Sequence, residues 1–265
     1  MISRIKGTQP KLPKLPDDDE LEDGHGGQMS FFEHLDELRQ RIMKAFFSLV
    51  VGTVIGAVVA ARVLDFLQGP YAKIKPDDPT FRVLGPTGGV VAYFRVALLV
   101  GGIIAIPVIT YQVLMFFLPA LTRKERRVLV SSLPAIYGLF LIGVAFSWFI
   151  LIPPALGFLG GFQPTLFTPE WTADLYIGFV TSLLFWMGVA FETPLVFFVL
   201  SIMGFVSAWA LLRNWRIAIV GASIAAAVIT PTIDPVNMFL VMGPLMALYA
   251  ISIILVAFGG RLRRN

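Results

Sequence analysis

Long apolar runs recur along this chain of 265 residues, and they restrict what it can become more than any other feature. A run of roughly 20 apolar residues is long enough to cross the ~30 Å hydrocarbon core of a bilayer as a helix. Six such spans are read here, at about 42–61, 90–118, 128–152, 171–203, 215–229 and 236–258. The fifth is short, because 15 residues cover roughly 22 Å at 1.5 Å each. Only 14% of residues are charged, against about 25% in soluble domains. The expected fold is an all-α polytopic membrane protein with six transmembrane helices. The net charge of +4 therefore matters through where the charges sit, and says little about nucleic acid.

Basic residues in short loops set orientation. One side collects Arg39, Arg41 and Lys44, then Arg123, Lys124, Arg126 and Arg127, then Arg213 and Arg216, and finally Arg261, Arg263 and Arg264. The other side has a basic-free loop at 153–170 and a basic-free turn, TPTIDP, at 230–235. Its exception is the first outer loop, where Arg62, Lys73, Lys75 and Arg82 face Asp65, Asp77 and Asp78. The balance places both termini in the cytoplasm. Residues 1–29 are polar and rich in Pro and Gly, and read as a disordered tail without the apolar core of a signal peptide. Residues 30–260 form the six-helix domain and 261–265 a basic cytoplasmic end. Prolines 119, 153, 154, 164, 169, 231 and 235 punctuate the span ends.

Several chemistries are excluded by their missing parts. There is no cysteine, so no disulfide or thiolate site is possible. The two histidines, His25 and His34, lie outside the spans, so neither an intramembrane Ser–His protease nor an H-E-x-x-H zinc site can be assembled. No phosphate-cradling Gly-rich loop is present. The reading is of a protein that is not an enzyme and needs no cofactor or metal.

Five stretches could carry function. In FFEHLDELRQR, Ser30 and Glu33 fit a capping box, and Phe31, Leu35, Leu38 and Ile42 share a face, so an amphipathic helix feeds the first span. Glu37 and Arg41 are four apart and could pair; acids at a helix start also complement its dipole. In LTRKERR, Glu125 is the lone acid among four bases. It is either neutralised by those neighbours or held beside the membrane to receive guanidinium groups. Glu192 lies deep in the fourth span, where a carboxylate must be paired, protonated or wet, and Arg95 is one possible partner. Pro194 loosens the helix there. Asp234 precedes Pro235 as a helix cap would. Pro107 should kink the second span.

Taken in order, HLDELRQR, Gly69–Pro70 in the outer loop, IPVITYQVLMFFLPALTRKERR, GVAFETPLVFFVL and ITPTIDP resemble the twin-arginine translocase C subunit (TatC) family over about 30–265. The resemblance implies a glove-like, concave bundle, and the lack of a transit-peptide pattern favours the bacterial inner membrane over an organelle membrane. The resemblance also implies recognition of Arg-Arg signal peptides on folded proteins, single-span A and B partner subunits, self-association in the receptor complex, and export driven by the proton-motive force. Position by position, Glu37 and Glu125 match the carboxylates that receive the arginine pair, and Arg39 and Arg41 match the motif's bases. Pro70, Phe116, Glu192 and Asp234 match the outer-loop proline, the aromatic before PAL, the intramembrane glutamate and the last-turn acid. The turn is one residue longer than the family form, and the polar residue expected to contact a partner soon after the aspartate is either Asn237 or replaced by Met238. A proton- or ion-coupled transporter using Glu192 and Asp234 is the competing reading.

Overall fold

The computed structural model describes residues 31–76, 80–117, 123–230 and 234–264. The expected tail at 1–29 lies outside them, as does Ser30 of the capping box. The described residues form ten α-helices: α1 (Phe31–Ile74), α2 (Gly88–Phe117), α3 (Arg123–Ser131), α4 (Leu133–Phe146), α5 (Ile152–Gly161), α6 (Ala173–Phe191), α7 (Thr193–Ile202), α8 (Ala208–Arg213), α9 (Trp215–Ile229) and α10 (Pro235–Arg264). A π-helical turn, Ser147–Leu151, joins α4 to α5. The sole extended pairing among the described residues is a single bridge between Arg82 and Thr172. The chain divides into two units after Arg39.

Among the described residues, five helical stretches are long and apolar enough to cross a membrane: His34–Ile74, Gly88–Phe116, Leu129–Gly161, Ala173–Ile202 and Pro235–Gly260. The remaining expected span, the fifth, is α9, which has the boundaries read from sequence but only 15 residues. Two spans run further than expected. α1 continues to Ile74, so Gly69 and Pro70 are helical and not in an outer loop. The third does not stop at Pro153 and Pro154; these prolines occupy the opening turn of α5, which runs on to Gly161. Proline lacks the N–H that an interior turn needs, and the wider π turn just before it absorbs the interruption. The fourth is interrupted at Glu192, as Pro194 suggested, and ends where Gly204 adopts φ 81°. There Phe205 N donates to Leu200 O at 2.9 Å, the closing bond of a left-handed helix cap.

In lipid, helices associate through close packing more than through the hydrophobic effect, so small residues decide which faces meet. Gly52 and Gly56 of α1 lie against Ala97 and Gly101 of α2. A Cβ at Gly52 would stand 2.6 Å from Gly101 O, and one at Gly101 would stand 2.5 Å from Thr53 N. One at Gly56 would collide with Ala97 O. Tyr93 OH donates to Ala57 O at 2.6 Å across the same seam. α6 packs between α2 and α4, and α10 packs on α7 and α9. Gly188 of α6 makes room for the Phe140 ring of α4, which is fully buried. Where α1 ends, Tyr71, Phe81, Trp171 and Tyr176 form an aromatic cluster with ring centroids 5.1–6.2 Å apart. Tyr176 OH donates to Leu67 O at 2.8 Å, tying α6 to α1.

A Gly101→Leu variant should therefore lose about 1–3 kcal/mol of stability through overpacking against backbone that cannot move aside. Thermal melting in detergent should fall for Gly101→Leu and stay near wild type for Gly221→Leu, since a Cβ at Gly221 meets nothing within 4 Å.

Candidate functional site

The residues expected to bind a ligand sit on two helices. Glu37 lies in the second turn of α1, half-buried, with Oε2 4.0 Å from His34 Nδ1 three residues earlier. Arg39 is exposed and Arg41 half-buried. Glu37 and Arg39 belong to the first unit, and Arg41 and Glu125 to the second. Glu125 is the third residue of α3. Its side chain lies outside the described residues. Phe116 is half-buried in the last turn of α2, and Pro70 is half-buried near the end of α1.

Glu192 sits in the break between α6 and α7. Its backbone still connects them: Glu192 N donates to Val189 O, and Glu192 O accepts from Leu195 N and Val196 N, each at 3.0 Å. Its side chain is half-buried, and among the described residues Oε1 has no hydrogen-bond partner. The pairing with Arg95 considered from sequence does not occur. Arg95 Nη1 instead donates to the main-chain oxygen of Asp174 at 2.6 Å.

Asp234 behaves as a helix cap. Its Oδ1 accepts from Asn237 N at 2.7 Å and its Oδ2 from Asn237 Nδ2 at 2.9 Å. Pro235 takes the first helical position, where its missing N–H costs nothing. Asn237 is 1% exposed, so it is a brace for this turn within the chain. Asp234 with two bonds to its own helix is poorly suited to exchange an ion, which weakens the transporter reading. The rest of the TPTIDP turn, 231–233, lies outside the described residues. No group of acidic and histidine side chains suited to a metal occurs among the described residues.

Two polar elements had not been picked out as functional. Lys75 and Glu170 form an exposed ion pair at 3.1 Å beside the aromatic cluster. Asp174, in the first turn of α6, is the anchor for Arg95, and its one sequence signal is an acid at the head of an apolar run.

An all-helical chain with several membrane-crossing helices, capped and interrupted in this way, is a multi-pass membrane protein. The family model for Sec-independent protein translocase protein TatC matches residues 33–244. A TatC protein of Synechocystis is 35% identical over 238 residues, covering 90% of this chain and 89% of its own length. A chloroplastic TATC of Arabidopsis thaliana is 35% identical over 256 residues, with 95% of this chain and 71% of its own length aligned. A crystal structure of the twin-arginine translocase receptor TatC superposes with a TM-score of 0.77 at 37% identity, covering 88% of this chain and all of that one. The chain belongs to the TatC family. It is a component of a protein translocase, a transport protein and not an enzyme.

Removing the Asp234 carboxylate should cost the start of α10 about 0.5–2 kcal/mol. Asp234→Ala should lower the melting temperature in detergent while Asp234→Asn, which keeps an oxygen for Asn237 N, should lie close to wild type. Equal losses would show that the negative charge, rather than the cap, is what α10 needs.

Proposed function

We propose that the chain is the signal-peptide receptor and core membrane subunit of a twin-arginine translocase, exporting folded proteins at the expense of the proton-motive force. The observation that carries this reading is the pairing of family membership with two acids on basic membrane flanks, Glu37 before the first span and Glu125 after the second. Two crossings separate them in the sequence, which supports placing both at one membrane face. The fold reading is six spans with α9 as the short fifth, both termini cytoplasmic, residing in the bacterial inner membrane. Its three parts are a polar tail at 1–29, the membrane domain at 30–260 and a basic end at 261–265.

In this reading Glu37 and Glu125 each receive one guanidinium of the Arg-Arg pair. A guanidinium presents two parallel N–H groups to a carboxylate, and the pair strengthens where water is partly excluded. Arg39, Arg41 and the bases around Glu125 repel cations that lack this fit. A lysine pair cannot make the planar fork, so its affinity drops. Phe116 and Pro70 belong to the scaffold around this binding function. Glu192, at a helix break inside the membrane, serves the translocation step. The single-span A and B subunits dock near the turn that Asp234 and Asn237 brace, and the receptor self-associates.

Photo-crosslinking in membranes tests the assignment. An Arg-Arg signal peptide should label the cytoplasmic rim, and its Lys-Lys version should label it weakly. Glu37→Gln and Glu125→Gln should each reduce labelling by about 10–100-fold, the range for one charge-assisted hydrogen-bonded pair. Equal labelling by all combinations would make both carboxylates structural and remove the receptor reading.

A further inference from the structure

α1, α2 and α6 leave an open groove of about 470 Å³ between them. Its walls include Leu49 of α1, Leu98 of α2, and Phe179, Phe185 and Trp186 of α6. This apolar channel has one cation on its lining, Arg95, the eighth residue of α2. The Arg95 guanidinium passes over Gly178, where any Cβ would collide with Nη1, and so reaches the head of α6. There Nη1 donates to Asp174 O, and this is its single hydrogen bond among the described residues. A guanidinium has five N–H donors. The Arg95 side chain is exposed, yet it projects from a helix built to stand in lipid, where unused donors must find water or an anion. The Asp174 carboxylate is half-exposed; it interacts first with the Thr172 side chain and with the N–H groups of its own helix turn, and only weakly with Arg95. The groove thus offers a cation at one end, with the half-exposed Asp174 carboxylate just outside its lining on the Gly88 side, and a hydrocarbon wall beyond.

We propose that this groove is a binding site for a single phospholipid with an ammonium headgroup, of the phosphatidylethanolamine type. Its phosphate takes the free N–H donors of Arg95 in the planar, two-pronged geometry that suits a guanidinium. Its ammonium donates to the Asp174 carboxylate. Its acyl chain lies along Leu98, Phe179 and Phe185. A choline headgroup carries no N–H and loses the Asp174 contact, while a glycerol headgroup supplies no cation. The lipid belongs to the leaflet that meets the Gly88 end of α2.

Native mass spectrometry of the full-length protein released from detergent tests this, with phosphatidylethanolamine or phosphatidylcholine of identical acyl chains added in turn. The wild type should retain one lipid and prefer phosphatidylethanolamine. Arg95→Leu should weaken retention of both lipids by about tenfold or more, the loss expected for a charge-assisted hydrogen bond. Asp174→Asn should retain both lipids but lose the preference. Ser182→Phe, which fills the groove and leaves Arg95 in place, should also abolish retention; melting temperatures identify any variant that has failed to fold. Equal retention by wild type, Arg95→Leu and Ser182→Phe would overturn the proposal. So would a wild type that retains no lipid, which would leave the groove to another occupant, such as a carboxylate-bearing helix of a partner.

Discussion

Hydrocarbon offers no partner to a backbone N–H or C=O, so every turn inside the membrane must satisfy itself. The rest of this structure follows from how the chain meets that obligation. Where the sequence is uninterrupted, as in α9, the helix is regular and its limits are those of the apolar run. Pro70, Pro107 and Pro244 lie inside unbroken helices, whereas at two other places proline accompanies a local change in the ladder. Pro153 and Pro154 are preceded by a π turn, and Pro194 is preceded by a break whose carbonyl at Glu192 still accepts two bonds. The repaired places are the irregular ones, and the second of them holds the half-buried Glu192 carboxylate.

Association of the helices then follows from shape. The α1–α2 seam is a ladder of small residues in which backbone touches backbone, and α4 meets α6 through Gly143 and Gly188. At Gly143 an added Cβ would stand 2.6 Å from Met187 O. Such seams tolerate neither a larger side chain nor a sideways shift. That fit holds the helices of each seam in one register, because neither can rotate against its neighbour without a backbone clash.

Much of this was legible in the sequence, and the failures have physical causes. Apolar run length placed the limits of α2 and α9 well, because each helix begins and ends with its apolar run. Pro70 and Pro153 misled, because neither stops its helix: Pro70 lies within unbroken α1, and Pro153 opens α5 directly after a π turn. The cap at Asp234 was readable, since its acid, proline and polar third residue are all local. The partner of Arg95 was not readable. Sequence suggested a distant carboxylate, whereas the bond is to a main-chain oxygen, which every residue carries and no pattern marks. The groove beside it was equally hidden, since it is made by three helices that are far apart in sequence.

Three ionisable side chains at the edges or depths of the spans are handled in three different ways, and the contrast separates scaffold from function. Asp234 is spent on its own helix through two short bonds and a proline, so its charge is committed to structure. Arg95 uses one donor to lock onto α6 and keeps the others in an open groove, so it is half anchor and half receptor. Glu192 has an oxygen with no hydrogen-bond partner among the described residues, at the one point where the fourth span is broken. A buried polar atom without a partner costs more than it returns unless another state supplies one. Of the three, Glu192 is the group whose present environment explains it least. A translocation cycle that brings water, a proton or a client's polar surface to the α6–α7 break would explain why a carboxylate is kept there.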